Sequence, residues 1–258
     1  MIKIHFLGTR SGTEPMKGMH HTSLAVETGG VYYFFDAGEN CADTAHNSGV
    51  DLLKIKAVFI SHTHMDHVGG LGGLFWNIRK LTRMSERRPI DKKINLFIPR
   101  MESWNGFLQV LKNTEEDFKC DFDIIADTVK DTVVYEDENI KVTAFHNHHL
   151  QAEKGNGWLS YSYLIEADGK RIVFSGDVRD VYDLDGVIGD GCDILMAETG
   201  HHAVLAVGEY AKHKNVGKLI YIHHGREIIN DRRGSEEKVK TLGFPAIIAY
   251  DGMVEDLV

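Results

Sequence analysis

The chain has 258 residues, 43% of them apolar and 26% charged, with 26 glycines and 4 prolines, a balance that excludes disordered, collagenous and fibrous classes and suits a globular protein with a sizeable core. Asp and Glu outnumber Lys and Arg by 38 to 29, a net charge of −9, which excludes a surface built to coat nucleic acid. No uncharged stretch exceeds the one from His67 to Ile78, short of the roughly 20 apolar residues a spanning helix needs, and the N-terminus has no leader-like pattern, so a cytoplasmic chain without membrane contact is expected.

Short apolar strands open the chain at Ile2 to Leu7, Ser23 to Thr28, Val31 to Phe35 and Ala57 to Ile60, with Gly29-Gly30 as a tight hairpin turn. From Gly70 to Met84, Leu71, Leu74, Phe75, Ile78 and Leu81 recur at three and four, which predicts a helix. A strand at Ile94 to Ile98 stops at Pro99, and a helix over Glu102 to Leu111 follows. Strands are then expected around Val133 and at Ile140 to Phe145, Tyr161 to Glu166 and Arg171 to Phe174, the last two joined by an Asp168-Gly169 turn. The final part alternates strand Asp193 to Ala197, a helix near Ala203 to His213, strand Lys218 to Ile222, more helix and a closing strand Ala246 to Tyr250. No repeat at the residue level and no Pro/Ser linker interrupts this order, so residues 1–258 read as one domain. Two sheets packed face to face with helices outside fit the list, an α+β sandwich.

Seven basic residues, Arg79, Lys80, Arg83, Arg87, Arg88, Lys92 and Lys93, crowd a segment whose acids are Glu86 and Asp91. It reads either as a solvated helix end or as a patch that attracts phosphate beside a cleft. The cysteines Cys41, Cys120 and Cys192 lack any Cys-x-x-Cys spacing and read as reduced, small apolar residues.

The unusual number is histidine, fifteen in all. The sharpest cluster is His62-Thr63-His64-Met65-Asp66-His67, directly after the apolar run Ala57 to Ile60. Residues two apart on an extended segment point the same way, so His62 and His64 can grip one cation, while Asp66 and His67, where the chain turns, can face a second. Imidazole and carboxylate suit zinc, with iron or manganese as alternatives. Four such groups in six positions are costly to bury without a cation to offset their desolvation.

With this cluster, followed by Val68-Gly69-Gly70, the sequence resembles the metallo-β-lactamase superfamily, whose hallmark is His-x-His-x-Asp-His before a Gly-rich helix entry. Ile4 to Thr9 is similar to that family's opening strand and Gly-Thr turn, Phe35-Asp36-Ala37-Gly38 to its Asp-x-Gly element, and Phe174-Ser175-Gly176-Asp177 to its Ser-Gly-Asp strand end. The resemblance implies an αββα sandwich, a dinuclear centre and Asp177 as a carboxylate across both cations. It also implies two later histidine ligands, each offered here among neighbours. His146, His148 and His149 follow one strand, and strand alternation does not choose among them; the family pattern favours His149 over His148. It likewise favours His223, at the end of Leu219 to Ile222, over His224. The implied set is His62, His64 and His149 on one cation, Asp66, His67 and His223 on the other, with room left for solvent.

Two adjacent cations lower the pKa of a shared water, so the expected nucleophile is a hydroxide between them and the expected reaction is hydrolysis. Asp66 can orient it. The opening Gly-Thr, the Ser-Gly-Asp and Glu198-Thr199 look most like ribonuclease Z and related phosphodiesterases. The chain departs from that branch at Ala197-Glu198-Thr199, where His-Glu-Ala-Thr is usual, at Ser162 before Tyr163, where Gly is usual, and in lacking a long Gly/Pro-rich arm. By this resemblance His202 or His201 serves as a proton donor oriented by Glu198, against a reading of the pair as cap or surface. The substrate expected is a small anionic phosphodiester or an RNA-derived one, with extended RNA disfavoured by the overall charge and a homo-oligomer left open. Thioester or lactone hydrolysis, an iron-dependent redox role and a non-catalytic metabolite sensor are the alternatives.

Overall fold

The computed structural model describes residues 1–152 and 157–257. Its strands form two seven-stranded sheets, each mixed. The first holds β1 (Ile2–Gly8), β2 (Ser23–Thr28), β3 (Val31–Phe35), β4 (Ile55–Phe59), β5 (Lys93–Ile98), β6 (Asp123–Thr128) and β14 (Val254–Leu257), in the order β14-β1-β2-β3-β4-β5-β6. The second holds β7 (Val133–Glu136), β8 (Lys141–His146), β9 (Tyr161–Ala167), β10 (Lys170–Phe174), β11 (Cys192–Thr199), β12 (Val216–His224) and β13 (Ala246–Ile248), in the order β13-β12-β11-β10-β9-β8-β7.

Apart from β14, which pairs antiparallel with β1, each sheet runs antiparallel through its early strands and parallel through its later ones. A topological echo is thus present where the residues show no repeat. The turns at Gly29-Gly30 and Asp168-Gly169 close hairpins with positive φ at all four residues, the geometry that matches the twist of paired strands.

Alternation along the strands divides the apolar residues between three layers. Ile4, Phe6, Val26, Tyr33, Phe35 and Phe59 of the first sheet meet Tyr163, Ile165, Phe174, Met196 and Ile220 of the second in the central layer. The rings of Phe35 and Phe59 stack at 4.9 Å there. The outer face of the first sheet, with Phe34, Val58 and Ile60, packs against α1 (Cys41–Asn47), the short α2 (Met65–Val68), α3 (Leu71–Ser85) and α4 (Met101–Leu111). In α3 the apolar residues buried are Leu71, Leu74, Phe75 and Ile78, with Leu81 of the expected stripe partly buried beside them. The outer face of the second sheet is covered by α5 (Asp185–Ile188), α6 (Val204–Lys212), α7 (Arg226–Asn230) and α8 (Arg232–Thr241). No helix among the described residues is long and apolar enough to cross a membrane.

Several elements escape the sequence reading, among them α1, α5, β6 and the last strand. The helix α1 is seven residues long, rich in polar side chains and without a side-chain cap. The strand β6 is an acid-flanked edge strand with alternating exposure. The segment Ala246 to Ile248 is not the last strand: the chain returns as β14 to pair antiparallel with β1 in the other sheet. Its Val-Glu-Asp-Leu sequence carries little strand propensity of its own, and pairing supplies what propensity does not.

Candidate metal centre

Parallel strands send their carboxyl ends to one edge of the sandwich, where ligand sites of such sheets form. The segments after β4, β10, β11 and β12 meet there with that after β8. The link between the layers at this edge is direct: Tyr161 N donates to Ser61 O at 3.0 Å, and the buried Tyr163 hydroxyl donates to Ile60 O at 2.8 Å.

Two groups of donors converge. In the first, His62 Nε2 and His64 Nδ1 lie 3.0 Å apart and His149 Nε2 lies 3.3 Å from His64 Nδ1. Asp177 Oδ2 stands 3.7 Å from both His62 Nε2 and His149 Nε2. In the second, Asp66 Oδ2 is 3.2 Å from His223 Nε2 and 3.4 Å from His67 Nε2, and Asp177 Oδ1 is 3.3 Å from each of those nitrogens. The seven residues singled out in the sequence are therefore brought together, with one oxygen of Asp177 turned to each group.

The donor sets fit divalent cations. His67 Nε2 and Asp177 Oδ1 are buried polar atoms with no hydrogen-bond partner, a costly arrangement unless something is coordinated there. Neighbouring groups also set the tautomers that coordination requires. Asp36, fully buried after β3 at φ 59°, accepts from Ser61 N, Ser61 Oγ and, at 2.7 Å, His67 Nδ1. That leaves His67 Nε2 with its lone pair facing Asp66 and Asp177. With its own proton given to Asp36, Ser61 Oγ accepts from His62 Nδ1 at 3.1 Å, which frees His62 Nε2 in the same way. Asp36→Asn should weaken cation binding by roughly 10- to 100-fold with the fold intact, as loss of a carboxylate behind a ligand histidine does; zinc titration monitored by calorimetry checks this.

The electrostatics agree with a centre that keeps its carboxylates ionised. Desolvation works to raise Asp177, but His223 and His67, which the carboxylates draw toward their protonated forms against burial, outweigh it and hold it well below the usual range. A cation bound there would take the place of those protons. Asp66 is opposed by burial in the same way and held low by the hydrogen bond with His223 and by the His67 imidazole beside it. Burial keeps His62 well below the ordinary histidine value.

The neighbours in each histidine run point elsewhere. His148 Nδ1 pairs with Asp183 Oδ1, and His146 Nδ1 with Asp131 Oδ2 at 2.8 Å while its ring stacks on Trp158 at 4.1 Å. His224 Nε2 donates to Ala249 O at 2.9 Å.

Glu198, buried at the end of β11, accepts from His201 N and His201 Nδ1, both at 2.9 Å, and from Val178 N. Its other face lies 3.6 Å from His223 Nδ1. Desolvation opposes its ionisation, yet the hydrogen bonds from His201 and the nearby His223 imidazole hold it at about 2. His201 lines the cleft of about 340 Å³ over Asp66, Asp177 and His223, with Ser11, Gly12 and Thr13 across from it. His202 turns the other way: its Nε2 donates to Val178 O at 3.1 Å, and the ring borders a separate depression with Tyr182 and Tyr210.

Most of the basic segment is the solvated helix end, with Arg83, Arg87, Arg88, Lys92 and Lys93 exposed. Arg79 is buried and donates to Lys119 O and Glu115 O, and Lys80, Arg83, Arg87 and Arg88 pair with Glu115, Glu116, Asp51 and Asp121. None of these residues lines the cleft.

The family model for the Anti-Pycsar protein Apyc1 matches residues 2–222. The chain belongs to that family. It is a metal-dependent hydrolase of the metallo-β-lactamase superfamily, related to ribonuclease Z. The ribonuclease Z of Picrophilus torridus is 28% identical over 269 residues, covering 86% of this chain and 85% of that one. With some other archaeal ribonuclease Z chains the match spans about half of the relative's length. Among solved structures, the metallo-β-lactamase fold protein YhfI from Bacillus subtilis superposes with a TM-score of 0.74 at 16% identity, covering 99% of this chain and 100% of its own. Zinc-bound PqqB from Methylobacterium extorquens superposes with a TM-score of 0.67 at 17% identity, over 99% and 100%. Both likenesses bear on the fold, the αββα sandwich described above.

Proposed function

We propose that this member of the family hydrolyses phosphodiester bonds in small anionic substrates, using two divalent cations, zinc first and manganese or iron as alternatives. The single observation that carries the reading is Asp177, whose two oxygens face two separate histidine groups at the floor of one cleft. His62, His64 and His149 would hold one cation, Asp66, His67 and His223 the other, with Asp177 between them. Bound there, such a pair supplies an activated water and a clamp on the attacking and leaving oxygens of a displacement. Asp66 Oδ2 borders the cleft and would take a hydrogen bond from the attacking water, orienting it.

On the opposite wall, His201 takes the role of proton donor in preference to His202. Its Nδ1–H is held by Glu198, which leaves Nε2 to serve the departing oxygen. Cleft size favours a small substrate, since about 340 Å³ is near the lower end of ligand pockets, roughly 300–1,000 Å³. Among the described residues no Lys or Arg lines it, so recognition of the charged phosphate falls to the centre itself. The ribonuclease Z relatives support the choice of a phosphodiester over a thioester or lactone.

The test is a metal-loaded preparation assayed on bis(p-nitrophenyl) phosphate alongside a panel of thioesters and lactones. Close to two metal equivalents per chain and turnover of the diester are expected. A fully loaded sample that leaves the diester intact and cleaves a thioester or lactone would transfer the same centre to ester chemistry.

A further inference from the structure

The loop that leaves β1 carries a buried arginine with no role in the chemistry above. Arg10 is 2% exposed, and no carboxylate among the described residues lies within ion-pair distance of it. A buried cation without a counter-charge is expensive. Its guanidinium instead holds main chain: Nη1 donates to Thr13 O and, at 2.7 Å, to Glu14 O.

The backbone around it ties the two sheets together. Arg10 N donates to His20 O at the entry to β2, and Thr22 Oγ1 donates back to Arg10 O. Ser11 N and Ser11 Oγ both donate to His224 O, and His224 N donates to Thr9 O at 2.7 Å, at the end of β12. Beyond the arginine's two carbonyls, the Glu14 carboxylate is gripped by both Nη atoms of Arg226. Residues 9–14 therefore form a strap from the end of β1 to the end of β12, tied at both margins and braced from beneath by Arg10.

The strap's inner face meets one half of the centre. A Cβ on Gly12 would lie 3.0 Å from Asp66 Oδ2 and 3.1 Å from Asp66 Cγ, so the strap backbone already stands against that carboxylate. Asp66 Oδ2 is the atom that faces His67 and His223. The other anchor, the His224 peptide, adjoins His223 itself. No hydrogen bond from the strap reaches His62, His64 or His149 among the described residues.

We infer that Arg10 is a positioning residue which, by bracing the strap, fixes Asp66 and His223 and so sets cation affinity at the Asp66/His67/His223 half, leaving the His62/His64/His149 half unaffected. The inference rests on the two-cation reading. It makes the strap, and not only the donor atoms, a determinant of how tightly that half holds metal.

Zinc titration of metal-stripped protein by calorimetry, with elemental analysis after dialysis, tests it. Arg10→Met should weaken the affected equivalent by roughly 10- to 100-fold, the usual cost of losing support behind a ligand, and leave the other unchanged. Arg10→Lys keeps the charge but reaches one carbonyl, so it should fall between Arg10→Met and wild type. Gly12→Ala, at an exposed position, should act in the same direction by pressing a methyl on Asp66. Where Arg10→Met does not fold by circular dichroism, Gly12→Ala and Arg226→Gln decide. Folded variants that bind both equivalents as wild type does, or that weaken both alike, overturn the inference. Wild-type protein taking up one equivalent or none overturns the two-cation reading itself, a result obtained before any variant is compared.

Discussion

Asp177→Ala should abolish diester hydrolysis, lowering kcat/KM on bis(p-nitrophenyl) phosphate by about 10³-fold or more and reducing bound metal from two equivalents to one or fewer. Asp177 follows β10 almost wholly buried, and its carboxylate stands within 4 Å of donors in both histidine groups. Its removal leaves two sets of imidazoles with no shared anion to offset two cations. Stabilisation by paired cations is worth several kcal/mol at the transition state, and each 1.4 kcal/mol is about tenfold in rate. Asp177→Asn should fare little better, because the amide keeps the volume and loses the charge. Elemental analysis beside the rate measurement separates a lost cation from a misplaced one. A variant that keeps both equivalents and a tenth of the activity would remove Asp177 from the centre of the proposal.

The parts of this centre that could be read from the amino-acid order are those packed into a short stretch. His62, His64, Asp66 and His67 fall within six residues, so local geometry alone makes them neighbours. The strand-end histidines were harder, because alternation along an extended chain cannot tell His148 from His149 after a turn has begun. What separates them is a partner far away in sequence: Asp183 takes the His148 ring and leaves His149 to face His64 and Asp177. The same holds at the end of β12, where the carbonyl of Ala249 takes His224.

The residues that hold the donors in place left a weaker mark. Asp36 stands in a recognisable Asp-x-Gly element, yet its grip on His67 and Ser61 crosses 31 and 25 residues of chain. Arg10 gave no signal, since a lone arginine after a strand most often faces water. Its burial follows from the crossing of the strap between sheets, a tertiary event. The elements show the same division. Long periodic segments such as α3 were legible to within a residue or two, whereas the edge strands β6 and β14 form because a partner strand is present, not because their acidic sequences ask for it.

Substitution at His201 should produce a loss that depends on the leaving group. p-Nitrophenolate departs without help from an acid, so His201→Ala should change the rate on bis(p-nitrophenyl) phosphate by only a few fold. A sugar alkoxide does need a proton, and on a dinucleoside monophosphate the same variant should lose about 10²–10⁴-fold, the usual contribution of a positioned general acid. The expectation comes from the ring's direction. Glu198 holds Nδ1 at 2.9 Å and raises the imidazole's affinity for its proton, while the ring borders the cleft above Asp66 and Asp177. His202→Ala should leave both substrates within a few fold of wild type, because its Nε2 is committed to the Val178 carbonyl and its ring to another depression. Glu198→Gln should follow His201→Ala on the alkoxide substrate and also weaken metal retention, since the same carboxylate faces His223 Nδ1. An equal loss on both substrates in His201→Ala would reduce the histidine to a binding or structural group. A leaving-group-dependent loss in His202→Ala would move the proton donor one residue along the chain, to the position the sequence pattern first suggested.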